Sequence, residues 1–140
     1  MQLRTEIDIQ ASPQKVWEVL TNFRAYPEWN PFITSIRGKP RVGQTLSVVM
    51  SPPQSREMRF SPEVLRAEPF AELRWRGVLW FDWLFVGEHF FRLQEIGPGR
   101  TRLVHGEDFS GWLVKMLSFT NTTRGFVFMN QALKKRVEAS

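Results

Sequence analysis

Apolar and polar residues alternate over residues 2–10, with Leu3, Thr5, Ile7 and Ile9 on one side and Arg4, Glu6, Asp8 and Gln10 on the other. That pattern predicts a half-buried strand. Ser12-Pro13 then sets a capping hydroxyl before a proline at the first helical position, and Val16, Val19 and Leu20 follow at helical spacing with Trp17 beside them. Thr21-Asn22 interrupts this helix. A second helical piece runs from about Arg24 to Trp29 and stops at Asn30-Pro31, since a residue before proline avoids the helical region. Neither helix is long enough to stand alone, so both must pack on something.

From Thr34 to Phe109 the chain reads as strands. Gly38 to Gly43 is turn-rich, and Leu46, Val48 and Met50 alternate with Thr45, Ser47 and Val49. Residues 51–55 (SPPQS) form a loop, Met58 and Phe60 resume the alternation, and Pro62 marks a bulge or break before Val64-Leu65. Ala67-Glu68-Pro69 turns the chain into a strand opened by Leu73 and Trp75. Residues 77–86 (GVLWFDWLFV) are apolar on both parities, so no strand with one wet face fits them. They are either buried on both sides or a loop with exposed rings, which would make a pocket lid, a membrane-touching tip or a dimer contact.

Residues 87–109 (GEHFFRLQEIGPGRTRLVHGEDF) predict two strands joined by a Gly-Pro-Gly turn. His89, Phe91 and Leu93 share one face of the first; Leu103, His105, Glu107 and Phe109 share one face of the second. Folding about Pro98 sets Leu93 opposite Leu103, Phe91 opposite His105 and His89 opposite Glu107. Both histidines of the chain and one carboxylate then lie on an otherwise apolar face. They form either the polar floor of a ligand cavity or a satisfied hydrogen-bond cluster in a core.

After a short apolar connection over 111–118, a long helix is predicted from about Asn121 to Glu138, with Phe126, Met129, Leu133 and Val137 on one stripe. Lys134-Lys135-Arg136 suits the negative end of its dipole. The element order is thus strand, two short helices, about six more strands and one long helix. Short turns between strands imply an antiparallel sheet, and only the last helix can cover one of its faces. The fold class is α+β, with a curved sheet of about seven strands wrapped around the C-terminal helix.

Composition sharpens this picture. At 140 residues a single domain spanning 1–140 is expected. Twelve Phe and six Trp call for a core of large rings or an apolar cavity lined by them. No cysteine is present, which removes disulfides and thiolate chemistry. No apolar run reaches the ~18 residues that cross a bilayer, and the alternating start does not read as a signal peptide, so a cytoplasmic location is expected. The formal charge is +5, but the cations are scattered and no basic stripe for nucleic acid is predicted. Arg74, Arg76, Arg92 and Arg102 share the outer face of the late strands with Glu72, Glu88 and Asp108, which reads as a solvated face or, alternatively, a phosphate-binding patch.

Three segments carry a resemblance to a known superfamily. Residues 16–23 (VWEVLTNF) through 26–32 (YPEWNPF) look like the signature after that family's first strand. Gly87-Glu88-His89-Phe90-Phe91, with residues 99–105 (GRTRLVH) and Phe109-Ser110-Gly111, is similar to its sixth and seventh strands. Arg124-Gly125-Phe126, Met129-Asn130 and Ala132-Leu133-Lys134 resemble its gripped helix. The chain resembles the START-like, or SRPBCC, helix-grip superfamily, which includes the birch pollen allergens, lipid-transfer domains and polyketide cyclases, in its bacterial polyketide cyclase/dehydrase-like branch. The resemblance implies the helix-grip fold and a small hydrophobic ligand such as a lipid, quinone or polyketide-like aromatic. The family shares no catalytic motif, so no catalytic residue carries over.

The resemblance puts a cavity between sheet and last helix, with Trp75, Phe91, Phe109, Phe126, Met129 and Leu133 as apolar walls and His89, His105 and Glu107 as polar handles. It places Trp29, Asn30 and Phe32 near the cavity mouth, where Asn30 either orients a ligand carbonyl or makes a turn. His89, Glu107 and His105 are the candidates for proton transfer in a cyclase- or aromatase-type enzyme; the other reading of them is structural. Ser110 falls on the opposite face from His105, so a serine nucleophile lacks a base. Two His and one Glu could supply three metal ligands, but no ligand-spacing motif accompanies them, and neither metal nor cofactor is expected. A third reading is a module that assists a protein or touches a membrane through residues 78–86.

Overall fold

The computed structural model describes residues 1–79 and 81–140. Trp80, part of the apolar run singled out above, lies outside the described residues. Strand β1 (Gln2–Ile9) leads into α1 (Pro13–Thr21), where the Ser12 hydroxyl accepts from the Lys15 amide and Pro13 occupies the first turn. A single turn of 3-10 helix over Phe23–Ala25 follows, then the short α2 (Tyr26–Trp29). Strands β2 (Ile33–Arg37), β3 (Ser47–Met50), β4 (Met58–Phe60), β5 (Glu63–Glu68), β6 (Glu72–Val78), β7 (Val86–Gly97) and β8 (Arg100–Ser110) come next. The chain ends with a 3-10 turn over Trp112–Met116 and α3 (Thr120–Glu138).

Among the described residues the strands number eight rather than about seven, because Pro62 separates β4 from β5 and sends them into different sheets. Five form one antiparallel sheet in the order β1-β8-β7-β6-β5, and three form another in the order β2-β3-β4. Residues 43–46 join them: the Gly43 and Leu46 amides donate to the Val64 and Pro62 carbonyls, and Thr45 bridges Glu63. The β7–β8 register pairs Leu93 with Leu103, Phe91 with His105 and His89 with Glu107, as the alternation demands. Gly99, at φ +65°, supplies the left-handed turn residue that this tight hairpin needs.

Helix α3 lays Phe126, Met129, Leu133 and Val137 on the inner face of the sheet, each fully buried. Gly125 lets the helix approach Phe32: a Cβ there would collide with the Phe32 ring. The outer face is not simply solvated. Arg74 bridges Glu72, Glu88 and Asp108 at 3.0–3.2 Å, Arg92 reaches Glu72 at 2.9 Å, and both guanidiniums lie over the buried Phe90 ring at 4.8 and 4.6 Å. Arg102 pairs with Asp8 instead. Their donors are committed to carboxylates rather than arrayed for phosphate.

The described residues of the apolar run after β6 form a loop. Leu79 closes it by donating to the Phe85 carbonyl, and the Phe81 and Trp83 rings, stacked at 5.6 Å, stand 58% and 62% exposed. Trp112 and Leu113 dock against it through hydrogen bonds to the Trp83 and Leu84 carbonyls. No helix among the described residues is long and apolar enough to cross a membrane.

Candidate functional site

Alternation on β1, β7 and β8 points Thr5, His89, His105 and Glu107 inward, and helical spacing brings Asn130 of α3 onto the same spot. These five side chains form one continuous hydrogen-bonded chain. Glu107 Oε1 lies 3.1 Å from His89 Nδ1, and His89 Nε2 lies 2.7 Å from His105 Nε2. His105 Nδ1 lies 2.8 Å from Asn130 Oδ1; Asn130 Nδ2 donates to Thr5 Oγ1 at 2.8 Å; and Thr5 donates to the His105 carbonyl at 2.7 Å.

A carbonyl can only accept, and that end fixes the direction of every bond. Thr5 spends its proton on the His105 carbonyl, so it accepts from the Asn130 amide nitrogen. Asn130 Oδ1 therefore faces His105, whose Nδ1 must carry hydrogen. The neutral imidazole then has a bare Nε2, which accepts from His89 Nε2–H. His89 Nδ1 is bare in turn, and Glu107 Oε1 must donate to it. Moving that last proton onto His89 would leave a carboxylate and an imidazolium in a site that desolvates both, so the pair stays neutral.

Burial acts the same way on each group. It holds His89 down to about 3, and burial plus the neighbouring His89 hold His105 well below the usual histidine value. Burial, reinforced by the adjacent Asp108 charge, pushes Glu107 up to about 8. Aromatic rings enforce this dryness. His105 is stacked between Phe91 and Phe126 at 4.4 and 4.3 Å, and His89 lies against Trp75 at 5.1 Å.

A cavity of about 530 Å³ opens beside this chain of groups. It lies between the small sheet, the end of the β6–β8 ribbon and the approach to α3, with Met50, Phe60, Trp75, Phe109 and Phe119 among its walls. Glu107 is the one carboxylate among the described lining residues. Its side chain keeps 14% exposure, and Oε2 sits over the bare Cα of Gly87, where a Cβ would collide with it. Gly87 also lines the cavity, so the carboxyl group is held flush in its wall.

Of the residues expected around a ligand, Trp75, Glu107 and Phe109 line this cavity. His89 and His105 lie behind the wall, 1% and 0% exposed. Phe91, Phe126, Met129 and Leu133 fill the space between sheet and helix, because their rings and branches pack against each other there. The cavity accordingly sits past the N-terminal end of α3 rather than along its apolar stripe. Trp29 packs edge-on against Tyr26, and Phe32 against Phe126. Asn30 makes a turn: its Oδ1 accepts from the Phe32 and Ile33 amides at 2.9 and 2.8 Å. No group of three His, Asp or Glu among the described residues is arranged to hold a metal ion.

Sequence reasoning passed over Thr5, Asn130 and Gly87. The signal for the first two was present. Thr5 is the one polar residue on the inner side of β1, and Asn130 falls on the apolar stripe four residues after Phe126 and three before Leu133.

A sheet closed over a long C-terminal helix, with a cavity at the helix's N-terminal end, defines a START-like protein of the helix-grip fold. The chain belongs to the polyketide cyclase / dehydrase and lipid transport family, whose sequence profile matches residues 1–138. No curated protein sequence matches it at a significant level. Among solved structures it is similar to a protein from Mesorhizobium loti, with a TM-score of 0.78 at 21% identity over 100% of this chain and 98% of that one. A START superfamily protein from Mycobacterium smegmatis gives 0.76 at 21% identity, covering 99% and 97%. Norcoclaurine synthase from Thalictrum flavum, solved with dopamine and hydroxybenzaldehyde, gives 0.76 at 15% identity, covering 99% and 87%. Identities this low establish a shared fold.

Proposed function

We propose that this protein binds a small hydrophobic molecule in the cavity beside Glu107. The observation that carries this reading is a largely apolar space of about 530 Å³, within the range of ligand pockets, with one mostly buried carboxyl group set in its wall. Native mass spectrometry of the purified protein tests it, and a bound apolar compound is expected. Gly77 lines the same cavity, and a Cβ there meets nothing closer than Pro62 at 3.8 Å. Gly77→Phe should therefore fill the space without disturbing the backbone and expel the compound. A filled variant that keeps the ligand would sink the reading.

The position of Glu107 favours a second, enzymatic reading in the manner of a cyclase. A carboxyl group lifted to about 8 at a cavity wall can give or take a proton near neutral pH. In that case Glu107→Gln abolishes turnover of a bound polyketide-like aromatic and leaves its affinity intact. For the route of loading, the exposed rings of Phe81, Trp83 and Trp112, next to the mouth residues Leu79 and Phe85, fit contact with an anionic membrane surface, given the net charge of +5. Sedimentation with anionic vesicles should then fall in Trp83→Ser.

A further inference from the structure

The direction of the buried hydrogen-bond chain specifies what chemical group the cavity accepts, an inference that rests on the ligand-binding reading above. The His105 carbonyl is the terminal acceptor; it orders Thr5, Asn130, His105 and His89 in turn, and the order ends with Glu107 Oε1 donating to His89 Nδ1. The proton of the carboxyl group is thus committed on the protein side. Oε2, which makes no hydrogen bond among the described residues, is left as a carbonyl-type acceptor over Gly87 in the cavity wall.

We infer that the cavity takes an apolar molecule carrying a hydrogen-bond donor, a phenol or hydroxyl compound, and discriminates against its ether or carbonyl counterpart. A ligand O–H pointed at Oε2 completes the last open position of the chain. An ether or ketone oxygen there would set acceptor against acceptor and leave two lone-pair groups unpaired in a largely apolar space. Sites that bury an unpaired polar atom against the wrong ligand reject it more strongly than apolar fit alone allows. A quinol fits and the matching quinone does not; a sterol or alkylphenol fits and its methyl ether does not.

Equally, the selectivity does not need an ionisable group. A glutamine at 107 can donate its amide N–H to His89 Nδ1 and present its carbonyl oxygen over Gly87, reproducing both ends of the protonated carboxyl group. Leucine at 107 presents neither. Reversing the preference would require reversing every bond back to Thr5, whose hydroxyl would have to abandon the His105 carbonyl.

The test is calorimetric titration of the intact chain with 4-octylphenol and 4-octylanisole, which share one apolar body and differ in the donor. The phenol is expected to bind about tenfold tighter, the worth of one well-formed hydrogen bond against an unpaired acceptor. Glu107→Gln should keep that ratio, and Glu107→Leu should bring it to about one by losing phenol affinity, with the anisole unchanged or improved. Equal binding of the two probes by the wild type, with the cavity occupied by both, overturns the inference and leaves the ligand-binding reading standing. A ratio that disappears in Glu107→Gln also overturns it, and that result does not depend on the leucine variant folding. Failure of both probes to bind, with Gly77→Phe behaving like the wild type, overturns the ligand-binding reading and this inference with it.

Discussion

Glu107 gives the fold a pH dependence of its own, and Glu107→Gln isolates it. In the folded chain the carboxyl group keeps its proton up to about pH 8, whereas in the unfolded chain it releases it near 4.5. Between these values the native state binds one proton more than the unfolded state, so stability falls as pH rises. His89 and His105 work in the opposite sense. Their folded values are depressed, His89 to about 3, so their contribution is present above 6.5 and is lost as pH falls. From 4.5 to 6.5 the two slopes oppose each other. At 6.5 the unfolded imidazoles are still half protonated; their slope fades over about the next pH unit, and beyond it the Glu107 slope stands alone.

Each pH unit is worth about 1.4 kcal/mol for one proton, so the span from 6.5 to the folded value of about 8 is worth about 2 kcal/mol. Urea unfolding followed by tryptophan fluorescence at pH 6.5 and at about pH 9, at equal ionic strength, measures it. Across the interval the wild type should lose about 2 kcal/mol relative to Glu107→Gln, because the amide donates to His89 at either pH; the variant itself should gain a little under about 1 kcal/mol as the two unfolded imidazoles finish deprotonating. At pH 6.5 the two proteins should agree to within about 1 kcal/mol, since both satisfy His89 Nδ1. A glutamine variant that retains the wild-type slope would refute the protonated state of Glu107. So would a cost well above 2 kcal/mol at pH 6.5, which would mean that a carboxylate had been holding a charged His89.

Other consequences are checked more simply. By proton NMR, neither histidine ring should titrate between about pH 5 and 8, since both are held well below the ordinary value of 6.5. Gly125→Ala ought to gain about 1 kcal/mol from helix propensity, yet the new Cβ strikes the Phe32 ring; a net loss of about 1–3 kcal/mol is expected, largely recovered by Phe32→Leu in the same chain. Gly106→Ala puts a methyl group against both the Leu3 carbonyl and the Phe90 ring, and should lower the melting temperature by more than any surface substitution on β8. Arg74→Met leaves the buried Glu72 with Arg92 as its near partner and should cost about 1–3 kcal/mol, the penalty of a half-satisfied buried carboxylate.

Local pattern carried most of the architecture. The period of two in residues 2–10 and 87–109 set which side chains face inward, and a one-residue slip would have turned His89 and Glu107 to the outside. The period of 3.6 in α3 placed Phe126, Met129, Leu133 and Val137 on its buried stripe. Those regularities also brought His89, His105 and Glu107 to one face before any contact was known. What they left open depends on distances across elements far apart in sequence. Thr5 and Asn130 are 125 residues apart and meet because β1 pairs with β8 while α3 crosses above both.

The cavity's position likewise came from volume. Phe91, Phe126, Met129 and Leu133 are large enough to fill the gap between sheet and helix, so the empty space lies at the N-terminal end of α3, walled by Met50 and Phe60 of the small sheet and by Leu79 and Phe85. Whether residues 77–86 would be buried or exposed was undecidable from hydrophobicity, which measures the gain from burial but not whether a partner surface exists. Most consequential is the state of the Glu107 proton. Residue order along two strands is enough to put a carboxyl group and two imidazoles on one apolar face; contacts between distant elements make Thr5 and the His105 carbonyl the end of their chain of hydrogen bonds. A single backbone oxygen that can accept but never donate orients the whole array, and no pattern of residue types contains that information.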